Sequence, residues 1–313
     1  MARWPYSIRT AFRDRPERLT PRRSHVAHRP EIITPPVTAF TADGGVDLGA
    51  TRELLAFAEP YVDGVFAVGT TGEFPALTRE ERRELVRICS EVFGPDRTIA
   101  HVGAPSVHQA LPLLWDAQEL GVRRLAAITP YYLTASDEGI LRYFSELRRA
   151  ADGELYAYVF PDVACSDVSP ELLARLVDAG IDGAKISGSA SARAEEYRRA
   201  APSLSLWSGD DSQLPEVMVH GGRGVVSGVS GVAPEAFARL RDALDAGDDD
   251  AVRTAQEDVV SLVKVLGPSI TRLREGLMRR GLDAGTSRMP IDLPDAATRR
   301  EISRALEPLL NDA

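Results

Sequence analysis

Eight short runs rich in β-branched and small apolar residues constrain this chain more than any other feature. They fall at 32–37, 64–68, 98–102, 124–129, 154–160, 183–187, 205–208 and 224–229. Between them lie amphipathic segments of roughly 10–16 residues, a usual helix length. Thr78-Arg79-Glu80-Glu81 and Ser106-Val107-His108-Gln109 have capping-box spacing, and Ser169-Pro170-Glu171 sets a cap before a proline at the first helical position. Eight strands with seven crossovers predict a closed parallel (β/α)8 barrel over 31–246. A doubly wound open sheet is the other way to arrange such an alternation, but no strand is followed by GxGxxG. Helical patterns at 234–246, 250–266, 269–280 and 295–310 come after the last strand. One closes the barrel, and the others are expected to form a C-terminal helical region over 247–313. The acidic run at 245–250 reads as a solvated helix junction.

The length of 313 residues suits one such barrel with an appendage, or two smaller domains. No apolar stretch approaches the roughly 20 residues that span a bilayer, so no membrane association is expected. Two cysteines, Cys89 and Cys165, exclude a disulfide scaffold and a four-thiolate zinc site. The net charge is −9, which argues against a fold-wide surface for nucleic acid. Residues 1–30 run against this balance, with eight Arg against Asp14 and Glu17. They show no apolar periodicity, contain four prolines and lack the apolar core of a secretory signal. A flexible Arg-rich extension on a cytoplasmic protein is expected.

The basic residues are 35 Arg and only two Lys, Lys185 and Lys264. A solvated positive charge is served by either type, so a lysine that survives a strong bias toward arginine is a candidate for a role that needs an amine. Arginine neither gives up its proton readily nor forms an imine. Lys264 lies in an amphipathic helical pattern and reads as a snorkelling surface residue. Lys185 lies in the strand run Gly183-Ala184-Lys185-Ile186-Ser187. Either it is a functional amine or it forms a buried ion pair, with Asp182 as the nearest partner in sequence.

Reactive groups of a (β/α)8 barrel gather at the carboxyl ends of its strands. Those ends carry Gly69-Thr70-Thr71-Gly72-Glu73, Thr129-Pro130-Tyr131-Tyr132, Tyr158-Val159-Phe160-Pro161, Lys185, Ser208-Gly209-Asp210-Asp211 and Ser227-Gly228-Val229-Ser230-Gly231. The five histidines show no HxxxH or HxH pairing, and GxSxG is absent, so neither a metal site nor a serine hydrolase is supported. One amine with phenols and hydroxyls suits imine chemistry on a carbonyl. The lysine attacks a ketone, a tyrosine moves protons through the carbinolamine, and the protonated imine withdraws electrons for C–C cleavage or formation. Gly69-Thr70-Thr71-Gly72 reads either as a nest for a small anion such as a carboxylate or as a plain structural turn.

In this order and spacing, these motifs resemble the dihydrodipicolinate synthase/N-acetylneuraminate lyase superfamily of pyruvate-dependent class I aldolases, over about residues 31–310. The matching residues are Thr34 to Phe40 with Asp43 and Asp47, Gly69 to Glu73, Pro130-Tyr131-Tyr132, Tyr158 with Pro161, Gly183-Ala184-Lys185, Ser208 to Asp211, and Gly224 to Ser227. The resemblance implies a TIM barrel with C-terminal helices, assembled as a homo-oligomer, a dimer or tetramer. It implies catalytic roles for Lys185 as the Schiff-base amine, Tyr158 as the proton-transferring phenol, and Thr70 and Tyr132 in the proton relay, Tyr132 matching a tyrosine that synthase members lend to a neighbouring subunit. It also implies substrate binding by Thr70, Thr71, Gly72, Asp210 and Ser227. The partners it implies are a 2-oxo acid and an aldehyde, with no cofactor and no metal.

The chain departs from the synthase pattern Tyr-Asn-Val-Pro-x-Arg, whose arginine holds a distal carboxylate. Here the run is Tyr158-Val159-Phe160-Pro161-Asp162-Val163, and valine makes no bidentate contact with a carboxylate. The usual Lys-Glu-Ala-Ser is Lys185-Ile186-Ser187-Gly188, and Gly231 stands where an asparagine is common. A 2-keto-3-deoxy sugar acid fits these changes better than aspartate semialdehyde, with Asp210 and Asp211 as candidates for binding hydroxyls. Asp210 can alternatively cap the next helix. Competing readings are 4-hydroxy-tetrahydrodipicolinate synthesis with an altered clamp, a dehydratase using the same imine, and a non-catalytic 2-oxo acid binder. A barrel isomerase with a phosphate cradle at 221–224 and 228–231 is a further one, but it leaves Lys185 and Tyr158 unexplained.

Overall fold

The computed structural model describes residues 28–311. The extension expected over residues 1–30 therefore falls, as far as residue 27, outside the described residues. The first half of the barrel comprises β1 (Glu31–Thr34), α1 (Leu48–Ala58), β2 (Gly64–Ala67), α2 (Arg79–Phe93), β3 (Thr98–His101), α3 (Val107–Glu119), β4 (Arg124–Ile128) and α4 (Asp137–Ala150). The second half comprises β5 (Glu154–Val159), α5 (Pro161–Ala164), α6 (Pro170–Asp178), β6 (Gly183–Ile186), α7 (Ala194–Ala200), β7 (Ser205–Ser208), α8 (Leu214–Val219) and β8 (Gly224–Val226). After it come α9 (Pro234–Ala246), α10 (Asp249–Leu266), α11 (Ile270–Arg279) and α12 (Ala296–Asn311). The strands are parallel and close in sequence order, β8 pairing with β1, so the fold is a (β/α)8 TIM barrel with C-terminal helices. All eight expected strands are present. Several end one to three residues earlier than their apolar runs, because the last residues of those runs turn into the loops.

The helix starts follow their sequence signals. Thr78 and Glu81 form a reciprocal capping box on α2, Ser106 caps α3, and Ser169 caps α6 ahead of Pro170. Period-two alternation divides each strand between two cores. Residues such as Ile32, Val65, Ala100, Leu125, Leu155 and Leu206 face the helices. Ile33, Phe66, Ile99, Ile128, Tyr158, Trp207 and Val226 fill the lumen. At the amino end of the strands, Glu31 closes the lumen by accepting from Trp207 Nε1 at 3.1 Å and pairing with Arg124 and Arg223. The carboxyl end of the lumen is left for chemistry. No helix among the described residues is long and apolar enough to cross a membrane.

Candidate active site

Parallel register sets Lys185 of β6 beside Tyr158 of β5, and Tyr158 beside Ile128 of β4. In-register residues share a face, so amine and phenol both enter the lumen. Lys185 is 7% exposed, with Nζ 4.0 Å from the centroid of the Tyr158 ring and 4.6 Å from that of Phe66. Asp182, the ion-pair partner considered for it, is instead bonded to Arg148 and to the Leu155 amide. Lys264 lies exposed on α10.

Tyr158 is buried, and its phenol oxygen lies 3.2 Å from Thr70 Oγ1. Thr70 belongs to the turn after β2, in which the Gly72 amide donates to Gly69 O and the Glu73 amide to Thr70 O. The turn is fixed from outside. Thr38 Oγ1 donates to Gly72 O at 2.8 Å. Glu73 is fully buried and accepts from Arg274 Nη2 at 2.7 Å, the Arg288 amide at 3.0 Å and the Met289 amide at 2.8 Å. The helices and loops after the barrel thus reach back to hold the loop that carries Thr70 and Thr71.

The remaining sequence candidates divide. Ser227 is buried at the end of β8, and its hydroxyl accepts from the Ser230 amide at 3.0 Å. Asp210 caps the turn that follows, its Oδ1 accepting from the amide and the hydroxyl of Ser212. Its neighbour Asp211 is the buried acid. Burial pushes its carboxyl up to about 7, against the stabilising Ser227 hydroxyl and Lys185 charge, and its Oδ1 has no hydrogen-bond partner among the described residues. Tyr132 is 85% exposed at φ 79°, and among the described residues no hydrogen bond joins it to Thr70 or Tyr158. Tyr131 turns inward instead and stacks edge-on against Phe74 at 5.7 Å. Adjacent residues of one type carry the same sequence signal, and only the local turn decides which of the two faces in.

Val163 is exposed on α5, which follows the carboxyl end of β5. Beside it, Asp162 Oδ2 accepts from the Ser189 amide at 2.7 Å. That approach requires glycine at 188, which has φ +61° and whose added Cβ would lie 2.0 Å from the same oxygen. His101 belongs to none of the motifs in the sequence. It ends β3 on the face of Ile99, and its ring lies among Phe66, Phe74 and Tyr158. Burial, helped by the charges of Arg82 and Lys185, holds its imidazole well below the usual histidine range. Strand alternation beyond Ile99 was the available signal. Among the described residues no three His, Cys, Asp or Glu side chains converge as metal ligands would.

The fold and the site together define a (β/α)8 barrel with a lumenal amine at the carboxyl ends of its strands. The profile described as the dihydrodipicolinate synthetase family matches residues 29–309, and the chain belongs to that family, whose members are lyases and aldolases. Among its relatives, an uncharacterized DapA-like lyase of Halobacterium salinarum is 33% identical over 265 residues, covering 83% of this chain and 87% of the relative. The 4-hydroxy-tetrahydrodipicolinate synthase of Moorella thermoacetica is 32% identical over 283 residues, covering 88% and 97%. Among solved structures, YagE of E. coli K12, a prophage protein of the dihydrodipicolinic acid synthase family in complex with pyruvate, superposes with a TM-score of 0.83 at 25% identity. That match covers 90% of this chain and 98% of the other.

Proposed function

We propose that this protein is a Schiff-base-forming class I aldolase or lyase that makes or breaks a C–C bond between pyruvate and an aldehyde. The observation that carries this reading is the convergence of Lys185 Nζ, the Tyr158 phenol and the Thr70 hydroxyl at one end of the lumen. The amine of Lys185 adds to the ketone carbon of the 2-oxo acid. Tyr158, in contact with Thr70, passes a proton to the carbinolamine oxygen, which leaves as water. Loss of a proton from the methyl carbon of the imine gives the enamine, which attacks the aldehyde, and water then releases the product. Cleavage runs the same steps in reverse. The turn carrying Thr70, Thr71 and Gly72 receives the carboxylate.

The second substrate is read from the mouth. With Val163 in place of a basic clamp and the Asp162 carboxylate next to it in sequence, a neutral hydroxylated aldehyde is favoured over an anionic one. The product is then a 2-keto-3-deoxy sugar acid. The Moorella thermoacetica relative supports 4-hydroxy-tetrahydrodipicolinate synthesis as the second reading. Exposed Tyr132 beside exposed Leu133 supports assembly with further copies of the chain. Coupled assays with a panel of 2-keto-3-deoxy sugar acids, and with pyruvate plus aspartate semialdehyde, decide between the two substrates. Turnover of the sugar acids alone supports the first reading; turnover of aspartate semialdehyde alone supports the second.

A further inference from the structure

The Gly69-Thr70-Thr71-Gly72 turn is flanked by two non-glycine residues in left-handed backbone, Val68 at φ 49° and Glu73 at φ 56°. For a β-branched residue this conformation is a steric outlier that persists only where its surroundings hold it. Glu73 is held by Arg274 and by two backbone amides. Val68 is held by His101, whose Nδ1 lies 3.1 Å from Val68 O. On the other side of the ring, Nε2 lies 3.3 Å from the Ile128 amide nitrogen. An amide N–H only donates and a carbonyl only accepts, so the two partners select one tautomer: Nδ1–H donates to Val68 and Nε2 accepts from Ile128.

The surroundings are built for this ring. Gly103 leaves it room, since a Cβ there would lie 2.6 Å from the Ile128 amide and 2.7 Å from His101 Nε2. Arg82 of α2 fixes the backbone around it, donating to His101 O at 2.6 Å and to Gly103 O at 3.2 Å. Both ring nitrogens are engaged, so His101 is no proton carrier for the reaction. Its two contacts nevertheless join the parts that must meet. Val68 opens the turn bearing Thr70, and Ile128 is the register partner of Tyr158.

We propose that His101 is a positioning residue, a neutral imidazole that staples Val68 to Ile128 and so holds the Thr70 turn against Tyr158. The staple stands on geometry alone; its consequence for pyruvate rests on the function proposed above.

Hydrogen exchange of the amides at 72–74, compared between the parent, His101→Leu and His101→Asn, tests the staple. The leucine variant has no donor for Val68, and its turn amides are expected to exchange about tenfold faster or more. Asparagine can still donate to Val68 O, so exchange within about threefold of the parent is expected. Parent-like exchange in the leucine variant overturns the proposal. Should that variant fail to fold, nitrogen NMR of the parent decides. A neutral Nδ1-protonated imidazole near pH 5.5 is expected, and an imidazolium or the Nε2–H tautomer overturns it. With pyruvate and borohydride, His101→Leu should need about tenfold more pyruvate for half-maximal labelling while reaching the parent's maximum. If the parent itself is not labelled, the proposed function fails while exchange and NMR still judge the staple.

Discussion

The hydroxyl of Thr70 lies 3.2 Å from the phenol of Tyr158, although the two residues are 88 positions apart and β3 and β4 lie between their strands in the barrel. One arrives on a turn after β2 and the other at the end of β5, and Lys185 is in register with the phenol. Catalysis is expected to depend on this junction.

Tyr158→Phe removes the proton carrier while keeping the ring that packs against Lys185 and Phe66. A loss of about 10²–10⁴ in kcat is expected, with little change in thermal stability. Thr70→Val should lose less, because it removes the partner of the phenol and leaves the phenol in place. Single-turnover kinetics of imine formation with pyruvate, read beside thermal unfolding, check both.

Glu73 and Arg274 form a fully buried pair between the site loop and α11. Removing one partner leaves the other charged and desolvated, so Arg274→Met should cost about 3–5 kcal/mol. Denaturant unfolding checks this. The double variant with Glu73→Gln should recover part of the loss, because no unpaired charge then remains.

Folded Asp211 keeps its proton up to about pH 7, whereas an unfolded aspartate releases it near the ordinary carboxylate value. Between those values the folded state binds the extra proton, so stability falls as pH rises and levels off above pH 7. Asp211→Asn lacks this slope. Relative to the parent, it should gain on the order of 2 kcal/mol between pH 5 and pH 8, measured by denaturant unfolding at both values.

Val163→Arg restores a cation on α5. Its ratio of kcat/KM for aspartate semialdehyde over a neutral hydroxyaldehyde should rise about tenfold or more. An unchanged ratio would mean that residue 163 does not face the second substrate.

Much of this architecture is legible in the amino-acid sequence. The strands announced themselves because each must present one apolar face to the helices and another to the lumen, a pattern the sequence carries in Gly64-Val65-Phe66-Ala67 as plainly as in the structure. Lys185 stood out because nearly every other cation is arginine. Three features were not legible, for physical reasons. Asp210 was readable as a cap, and it caps the turn at Ser212, but nothing in the sequence marks its neighbour Asp211, a residue of the same type, as the buried one. Tyr131 and Tyr132 differ by a left-handed backbone at Tyr132 that no composition signals. The anchoring of Glu73 by Arg274 joins residues 201 positions apart, beyond the reach of local pattern.

The most direct test is borohydride reduction in the presence of pyruvate, followed by peptide mass spectrometry. Reduction should leave pyruvate covalently attached to the peptide containing Lys185, and Lys185→Arg should abolish the adduct. An unlabelled parent, or label on Lys264 with Lys185 untouched, would contradict the account.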